Sequence, residues 1–417
     1  MAKLQPVRGT HDMLADESPG FRYVVETART SAARYGYGEI ATPIFEFTEV
    51  FQRTLGETSD VVTKEMYTFE DRGGESITLR PEHTAGIVRA MLSNGLAGQL
   101  PLKVFASGPT FRYERPQKGR LRQFHQIDVE LLGVPGAQAD VEVITLAADI
   151  LAALGIAAKT TLELNTLGDS PSRDAYRERL VAYFNDHGAD LSEDSQTRLD
   201  RNPLRILDSK NEGDRALIAD APKMAESLNQ ESAEFFDAVR GGLDAVGIAY
   251  MVNDRLVRGL DYYAHTAFEF TTTELGSQGA VIAGGRYDGL TEMMGGPPTA
   301  GIGWAGGIER LMMLLDDTPT AVRPISLVPM GDDGEAKAQT IAHDLRAAGF
   351  TIDLGFSGNL KKRLKRANKI GAVAAVLLGE DELVRGEATI RDLDSGEQTA
   401  VALDALPGAL NKFQDAT

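Results

Sequence analysis

The stretch from Ser107 to Glu130 reads as a hairpin of two strands joined by a long basic loop. Side chains alternate between the two faces of a strand, so residues two apart share a face. One face of the second strand therefore carries an aromatic ring, an amide and two carboxylates, from Phe124, Gln126, Asp128 and Glu130. The other face can pack in a core, because it carries His125, Ile127, Val129 and Leu131.

The loop of this hairpin is rich in cations. Its basic residues, counting the one that just precedes it, are Arg112, Arg115, Lys118, Arg120 and Arg122. A polar strand face beside a basic loop suits a ligand that carries both an amine and a phosphate. The alternative is a solvated outer strand face with an ordinary surface loop, and this stretch alone leaves both interpretations open. The phase of the alternation assigns His125 to packing.

Composition narrows the class of protein. A length of 417 residues predicts two to three domains. There is no cysteine and no close pair among the six histidines, so we expect no metal-ligating residues of the zinc type. The net charge of −18 argues against binding nucleic acid through the overall field, although a local basic track would suffice. No apolar run approaches the ~18 residues of a membrane span, and no signal peptide is recognisable, so we expect a cytoplasmic protein without a membrane partner.

The pattern of elements predicts two domains, at residues 1–320 and 322–417. The first reads as a sheet domain interrupted by a charged helical insertion at about 166–242, where strand signals disappear. A linker around Thr318 to Pro324 leads into the second, where strands alternate with helices. That alternation is typical of a small, largely parallel α/β domain.

The segment Gly301-Ile-Gly-Trp-Ala-Gly306 matches the G-x-G-x-x-G pattern of dinucleotide-binding folds. The context opposes that interpretation, because turn-forming residues precede it and no acidic residue follows at about twenty positions. We predict instead a strand that runs into a helix, with glycines allowing close packing and Arg310 near the helix start. No P-loop motif is present, so any ATP is held in another way.

Two further basic features leave alternatives open. The segment NLKKRLKRANKIG, residues 359–371, reads as a helix with an apolar face and many cations around it. It is either a solvated helix face or a contact surface for an anionic polymer. Arg258, in LVRGLDYY, is either part of a buried structural ion pair or a ligand contact.

Taken in order, these motifs resemble those of the histidyl-tRNA synthetases, which are class II aminoacyl-tRNA synthetases. The resemblance covers essentially the whole chain. ATPIFEFTEVF is similar to the dimer-forming first motif of the class, FRYE with FHQIDVE to the second, and GIGWAGGIERL to the third. The segments LRPEHTA, LVRGLDYY and AGGRYDGL resemble those that select histidine within the class. The implied fold is α+β, with an antiparallel catalytic sheet, flanking helices and a helical insertion, followed by an α/β anticodon-binding-type domain.

The resemblance implies a role for each matching residue. The α-ammonium of histidine would be held by Glu82, Thr84 and Gln126. The imidazole would be bound by Glu130 and Tyr263, Tyr287 would help to line the amino-acid pocket, and Tyr262 is also expected among the histidine-binding residues. Catalytic roles fall to Arg258, which would bridge the histidine carboxylate and the α-phosphate of ATP, and to Arg112, which would contact the same phosphate. The rest of the ATP site would comprise Arg120, Phe124 and Arg310.

The implied activity is that of a histidine–tRNA ligase. L-Histidine and ATP would give histidyl-adenylate and pyrophosphate, and histidine would then pass to the 3′ end of tRNA(His). A homodimer is implied, and Mg²⁺ is expected with ATP, although its ligands cannot be assigned. Contacts with tRNA are expected from Arg115, Lys118, Arg122, Lys361, Lys362 and Lys365.

Two positions depart from the family pattern, His83 in the pocket loop and Asp128 in the second motif. Neither is a proposed contact residue. The alternative function is the synthetase-like regulatory subunit of ATP phosphoribosyltransferase, which does not aminoacylate. Such proteins usually lose the LVRGLDYY segment and the C-terminal α/β domain, and this chain has both.

Overall fold

The computed structural model describes residues 3–56, 59, 61–187, 190–209, 211–257, 262–276 and 279–414. Arg258 lies outside these residues, as does part of the strand pattern predicted around it. The chain divides into two compact units, Met1–Leu14 with Gly20–Thr318, and Ala15–Pro19 with Pro319–Thr417. Among the helices of the described residues, none is both long and apolar enough to cross a membrane.

The described part of the first unit contains eleven strands and ten α-helices. The strands are β1 (Gly38–Glu39), β2 (Phe45–Phe47), β3 (Tyr67–Glu70), β4 (Ser76–Leu79), β5 (Leu102–Phe111), β6 (Gln123–Leu132), β7 (Thr161–Thr166), β8 (Met251–Val252), β9 (Ala264–Thr271), β10 (Ala280–Arg286) and β11 (Gly301–Gly307). The helices are α1 (Ser18–Arg34), α2 (Thr48–Leu55), α3 (Thr84–Ser93), α4 (Ala137–Ala153), α5 (Ser170–Asp186), α6 (Glu193–Arg201), α7 (Glu212–Ala219), α8 (Gln230–Ala245), α9 (Leu290–Met293) and α10 (Ile308–Met312).

Eight of these strands form one sheet in the order β1-β5-β6-β11-β10-β9-β7-β8. All neighbours are antiparallel except the outer pairs β1–β5 and β7–β8. The predicted α+β class with an antiparallel sheet is therefore confirmed. The predicted hairpin is β5–β6, paired continuously from Leu102 opposite Leu132 to Phe111 opposite Gln123.

Both faces of β6 are buried, which excludes the solvated outer face considered above. Ile127, Val129 and Leu131 belong to the main hydrophobic core, as the alternation predicted. On the opposite face, Asp128 and Glu130 are each only 1% exposed. Carboxylates are rarely buried without a partner or a function, so this polar face marks a site.

The glycine-rich segment forms the strand β11, followed directly by α10, as predicted. β11 pairs with β6 in the register that places Gly303 opposite Glu130. A Cβ atom at Gly303 would overlap the Glu130 carboxylate and the Val129 carbonyl oxygen. Glycine at this position therefore makes room for a buried acid.

Helix α4 covers the core face of the sheet through Val143, Ile144, Ala147, Ile150 and Leu151. Two polar contacts fix it there. Trp304 on β11 donates its indole N–H to the Val143 carbonyl at 3.0 Å. Arg286 on β10 forms an ion pair with Asp140, and both side chains are fully buried.

The remaining three strands form a small antiparallel sheet in the order β2-β4-β3. Its register aligns Phe45 with Leu79 and Tyr67, and Phe47 with Ile77 and Phe69. These residues share one face, on which the three phenylalanines are each about half exposed. Exposed phenylalanines side by side on one sheet face are typical of an interaction surface.

Helices α5 to α8 lie between β7 and β8, in the region where the sequence predicts an insertion at 166–242. Part of this region has a core of its own, formed by Tyr176, Leu180, Phe184, Leu191, Ile206, Leu207, Ile218 and Met224. Helix α8 differs, because its Val239 and Leu243 join the core of the main sheet. The helical character of the sequence did not distinguish these two kinds of packing.

The second unit has a five-stranded sheet in the order β13-β12-β14-β15-β16. Its strands are β12 (Ile325–Pro329), β13 (Ile352–Leu354), β14 (Ala374–Leu378), β15 (Glu387–Asp392) and β16 (Gln398–Ala402). Its helices are α11 (Gly331–Ala347), α12 (Leu360–Lys369), α13 (Glu380–Val384) and α14 (Leu406–Leu410). The first three strands are parallel, as predicted, whereas β15 and β16 pair antiparallel. The short turn between β15 and β16 allows only an antiparallel pairing.

Helix α12 corresponds to the predicted basic helix at 359–371. Lys361, Lys362 and Lys365 are exposed, but Arg363 is 5% exposed and not part of the basic surface. Its guanidinium donates to the Gly358 carbonyl at 2.7 Å and pairs with Glu335. This arginine therefore stabilises the unit rather than adding to its surface charge.

Candidate functional site

A cavity of about 270 Å³ opens in the first unit beside the polar face of β6. Nine of the predicted histidine-binding and ATP-binding residues line it, namely Glu82, Thr84, Arg112, Arg120, Phe124, Gln126, Tyr262, Tyr263 and Arg310. They come from the start of α3, the β5–β6 hairpin, the segment before β9 and the start of α10. Residues far apart in the chain thus converge on one site.

Glu82 and Thr84 lie where the chain leaves β4 and begins α3. Glu82 accepts hydrogen bonds from the backbone N–H groups of Thr84 at 2.6 Å and Ala85 at 2.9 Å. Its carboxylate therefore caps the first turn of α3, whose N–H groups have no partner within the helix. Burial raises the pKa of Glu82, although these hydrogen bonds oppose the rise.

Glu130 is buried and is hydrogen-bonded to Thr84, which lines the cavity. The Thr84 hydroxyl donates to one carboxylate oxygen at 2.5 Å, and the Tyr287 hydroxyl donates to the other. Burial raises the pKa of Glu130 to about 8 in spite of both donors. Glu130 can accept a hydrogen bond when ionised and donate one when protonated.

Three tyrosines form an aromatic cluster next to Glu130. The rings of Tyr262 and Tyr263 lie 4.6 Å apart, and Tyr262 meets Tyr287 edge-on at 5.8 Å. All three side chains are buried. Such a cluster suits a flat ring with polar atoms at its edge.

Gln126 and Asp128 complete the polar face of β6. Gln126 lines the cavity, and its Oε1 accepts no hydrogen bond from any residue that the structure describes. An unused buried acceptor is costly, so a ligand donor is expected there. We call Glu82, Asp128 and Glu130 the acidic cluster, and burial raises the pKa of all three.

Three arginines, Arg112, Arg120 and Arg310, form what we call the arginine cluster. Arg112 donates to the Pro81 carbonyl at 2.9 Å, and its guanidinium lies 5.4 Å from the Phe124 ring centre. Arg310 donates to the carbonyls of Gly119 and Ala280. Burial lowers the pKa of Arg310, and the nearby charges of the other two arginines lower it further. An anion bound among them would relieve this repulsion.

Among the described loop cations of the first unit that were predicted to contact tRNA, none lines the cavity. Arg115 and Lys118 are exposed in the β5–β6 loop, whereas Arg122 is not a free loop cation. The Arg122 guanidinium stacks on Tyr113 at 3.8 Å and donates to the Glu114 carbonyl at 3.2 Å. Sequence reasoning missed this stacking, because it counted charges along the loop without their partners.

Two acidic residues of the cavity wall also escaped the sequence analysis. Glu114 pairs with Arg120, and Glu309 pairs with Nδ1 of His125 at 2.8 Å. His125 also packs edge-on against Phe21, in agreement with its assignment to packing. Within the described ranges, no group of three acidic or histidine side chains could hold a metal ion by itself.

The comparisons with known proteins agree with this geometry. A family model described as histidyl-tRNA synthetase matches residues 9–311, and one described as anticodon binding domain matches residues 325–413. The chain is 59% identical to the histidine–tRNA ligase of Rhodospirillum rubrum over 414 residues, which is 99% of this chain and 100% of that protein. It is 51% identical to that of Wolbachia pipientis over 400 residues, 96% of this chain and 98% of that protein.

Among solved structures, apo histidyl-tRNA synthetase from S. aureus matches with a TM-score of 0.80 and 34% identity, covering 98% of this chain and 99% of that one. The fold and the site thus define a class II aminoacyl-tRNA synthetase. The chain belongs to the histidyl-tRNA synthetase family, and its activity is that of a histidine–tRNA ligase. The alternative of a regulatory subunit is not favoured.

The pKa of Glu130 predicts a pH-dependent stability. Because this pKa is raised to about 8, the folded chain keeps a proton that the unfolded chain loses above about pH 4.3. The contribution of Glu130 to the free energy of unfolding therefore falls as pH rises toward 8. Glu130→Gln cannot ionise, so the urea midpoint of the wild type should decline relative to that of the variant between pH 5 and pH 8.

Glu82 and Asp128 are present in both proteins, so their own titration largely cancels in this comparison. Glu292→Gln, at an exposed position, is the control and should follow the wild-type pH profile. Parallel profiles for the wild type and Glu130→Gln would contradict the raised pKa.

Proposed function

We propose that the cavity binds L-histidine beside the acidic cluster and ATP beside the arginine cluster. The carboxylate of histidine attacks the α-phosphorus of ATP, forming a carboxyl–phosphate bond. The bond between the α-phosphorus and the bridging oxygen breaks, and histidyl-adenylate and pyrophosphate result. The terminal ribose hydroxyl of tRNA(His) then attacks the adenylate carbonyl and releases AMP. The single observation that carries this proposal is that one cavity combines buried acceptors with three converging arginines.

Histidine is recognised by hydrogen-bond acceptors on side chains near Thr84. Glu82 and the unused Oε1 of Gln126 bind the α-ammonium group. Glu130 and the tyrosine cluster pair both nitrogens of the imidazole. A site that pairs both ring nitrogens penalises analogues that leave buried polar groups unpaired, by about 10⁴-fold in favourable cases.

Activation of ATP relies on charge and positioning. Arg112 contacts the α-phosphate, Arg120 and Arg310 contact the distal phosphates, and Phe124 stacks on adenine. Arginine suits these contacts because it is always charged and forks onto pairs of oxygens. The role of Arg258 as a bridge between the two substrates remains a prediction from the family resemblance.

The residues at the arginine cluster fit a magnesium ion that ATP helps to hold. Mg²⁺ is usually bound by one or two carboxylates together with phosphate oxygens and water. Glu114 and Glu309 are the two carboxylates of the cavity wall nearest in sequence to these arginines. When bound, Mg²⁺ would neutralise phosphate charge.

ATP–pyrophosphate exchange tests the first step. We expect exchange with histidine alone among the twenty amino acids. Arg112→Ala should lower kcat/KM by about 10²-fold, because it removes a charge on the reacting phosphate. The exposed Arg72→Ala is the matched control and should behave like the wild type. Exchange with no amino acid would favour the regulatory-subunit alternative.

Contacts with tRNA are proposed for Arg115 and Lys118 in the first unit and for the α12 lysines in the second. The match of residues 325–413 to an anticodon-binding domain supports the second group. These lysines are exposed, so their charges are available to the phosphates of tRNA.

Reversing the charge at Lys361, Lys362 and Lys365 together should therefore raise the KM for tRNA and leave ATP–pyrophosphate exchange intact. The KM of the wild type should also rise with salt, more steeply than that of the variant. Single charge-reversal variants provide a matched control. A charge reversal at the exposed Lys337 on α11 is compared with a charge reversal at Lys361 alone. Equal loss of exchange and charging would indicate misfolding, whereas an unchanged KM for tRNA in the folded variant would contradict the assignment.

We also propose that the apolar face of the β2-β4-β3 sheet is covered by a second copy of the chain, giving a homodimer. The half-exposed Phe45, Phe47 and Phe69 support this proposal, as does the resemblance of residues 41–51 to the first class motif. A cytoplasmic location stays a prediction from the sequence.

Phe47→Glu should shift the wild-type dimer to a monomer, because it buries a charge in an apolar interface. Sedimentation velocity measures this shift. Val246→Glu, which changes an exposed apolar residue elsewhere in the same unit, should leave the dimer intact. A dimeric Phe47→Glu protein, or a monomeric wild type, would contradict the proposed interface.

A further inference from the structure

The two departures from the family pattern, His83 and Asp128, meet in space. Nε2 of His83 lies 3.7 Å from Oδ2 of Asp128, and each side chain is 1% exposed. Neither oxygen of Asp128 has a hydrogen-bond partner among the described residues, and the polar contact of the His83 ring other than Asp128 is with the backbone of Gly108, which raises the pKa of His83 without forming a well-aligned hydrogen bond. A buried polar group without a hydrogen-bond partner is unfavourable, so both side chains destabilise the fold unless they act on each other.

The surrounding charges indicate that His83 is the natural partner of Asp128. Arg80 is a buried cation whose charge lowers the pKa of Asp128, but its Nε and Nη1 donate to the carbonyls of Pro109 and Thr42. Arg112 donates to the Pro81 carbonyl and belongs to the arginine cluster. The cross-strand neighbours of Asp128 on β5 and β11 are Ala106 and Ala305, which offer no side-chain donor.

The pKa shifts of both side chains favour their neutral forms. Burial raises the pKa of Asp128 well above its usual value, and the charges of Glu130 and Glu82 raise it further. Burial lowers the pKa of His83 to about 3, and Arg80 lowers it further. A protonated carboxyl facing a neutral imidazole has one donor and one acceptor, which suits a single hydrogen bond after a small side-chain movement.

The position of His83 decides what this contact does. His83 lies between Glu82 and Thr84, which are assigned to the α-ammonium of histidine. Thr84 attaches this loop to β6 through its hydrogen bond to Glu130. Glu130 is the next residue after Asp128 on the same face of the strand. A second attachment through His83 and Asp128 would fix the rotation of the loop as well as its distance from the strand.

We propose that His83 and Asp128 are a coupled pair of positioning residues that hold Glu82 and Thr84 in the geometry required by the ammonium group of histidine. This inference rests on the proposed function, because it concerns the binding of histidine and not of ATP. It predicts that the pair affects the KM for histidine, leaves the KM for ATP unchanged, and acts as one unit.

A double-mutant cycle in ATP–pyrophosphate exchange tests the pair. We expect His83→Leu and Asp128→Leu each to raise the KM for histidine by about tenfold, as loss of one buried hydrogen bond predicts. The double variant should be no worse than the worse single variant, because the second change removes no further interaction. Asp128→Asn keeps a neutral donor and should stay within about twofold of the wild type.

Multiplying effects in the double variant, or equal changes in the KM values for histidine and ATP, would overturn the coupling. A tenfold effect of Asp128→Asn would overturn the neutral pairing. Glu82→Gln separates this inference from the proposed function. If Glu82→Gln leaves the KM for histidine unchanged, the ammonium site itself is misassigned. If it raises that KM while the cycle is additive, only the pairing of His83 with Asp128 fails.

Discussion

The desolvation of carboxylates on one face of β6 is the constraint on which the site depends. Removing an ionised carboxylate from water costs on the order of several kcal/mol, so the protein must supply donors or keep the group protonated. Glu82 takes the first backbone N–H groups of α3, and Glu130 takes the hydroxyls of Thr84 and Tyr287. Gly303 clears the volume that Glu130 occupies. The start of α3 thus supplies hydrogen bonds to these carboxylates, and β11 supplies the space that one of them needs.

The arginine cluster is the electrostatic complement of these acids. The whole chain carries a net charge of −18, yet Arg112, Arg120 and Arg310 converge on one cavity. Their mutual repulsion is offset only in part by carbonyl oxygens and by Glu114. A preorganised cationic wall of this kind stabilises developing phosphate charge without reorganisation during the reaction. The net charge of the chain therefore excluded few kinds of ligand, because binding depends on the local charges that line the cavity.

Periodicity predicted what depends on local geometry. The alternation in β6 identified the polar face, and the context of the glycine motif predicted β11 followed by α10. Periodicity did not predict contacts between residues that lie far apart in the sequence. The Arg122 guanidinium stacks on Tyr113, and the buried Arg363 pairs with Glu335. Helix α8 packs on the main sheet. Each of these depends on a contact between residues that no spacing in the sequence brings together, and the individual site roles came from the family resemblance.

The helical region and the tyrosine cluster are joined by backbone contacts that bear on how the site is held. His265 has a φ of +46°, a conformation that non-glycine residues adopt only when their surroundings enforce it. Hydrogen bonds in both directions supply that enforcement, from the Leu167 N–H to the His265 carbonyl and from the His265 N–H to the Gly168 carbonyl. Arg173 of α5 also donates to the Tyr263 carbonyl at 2.7 Å. Tyr263, which lines the cavity, is therefore held in part by the first helix of the inserted region. That helix thus supports the wall of the cavity as well as the core of its own region.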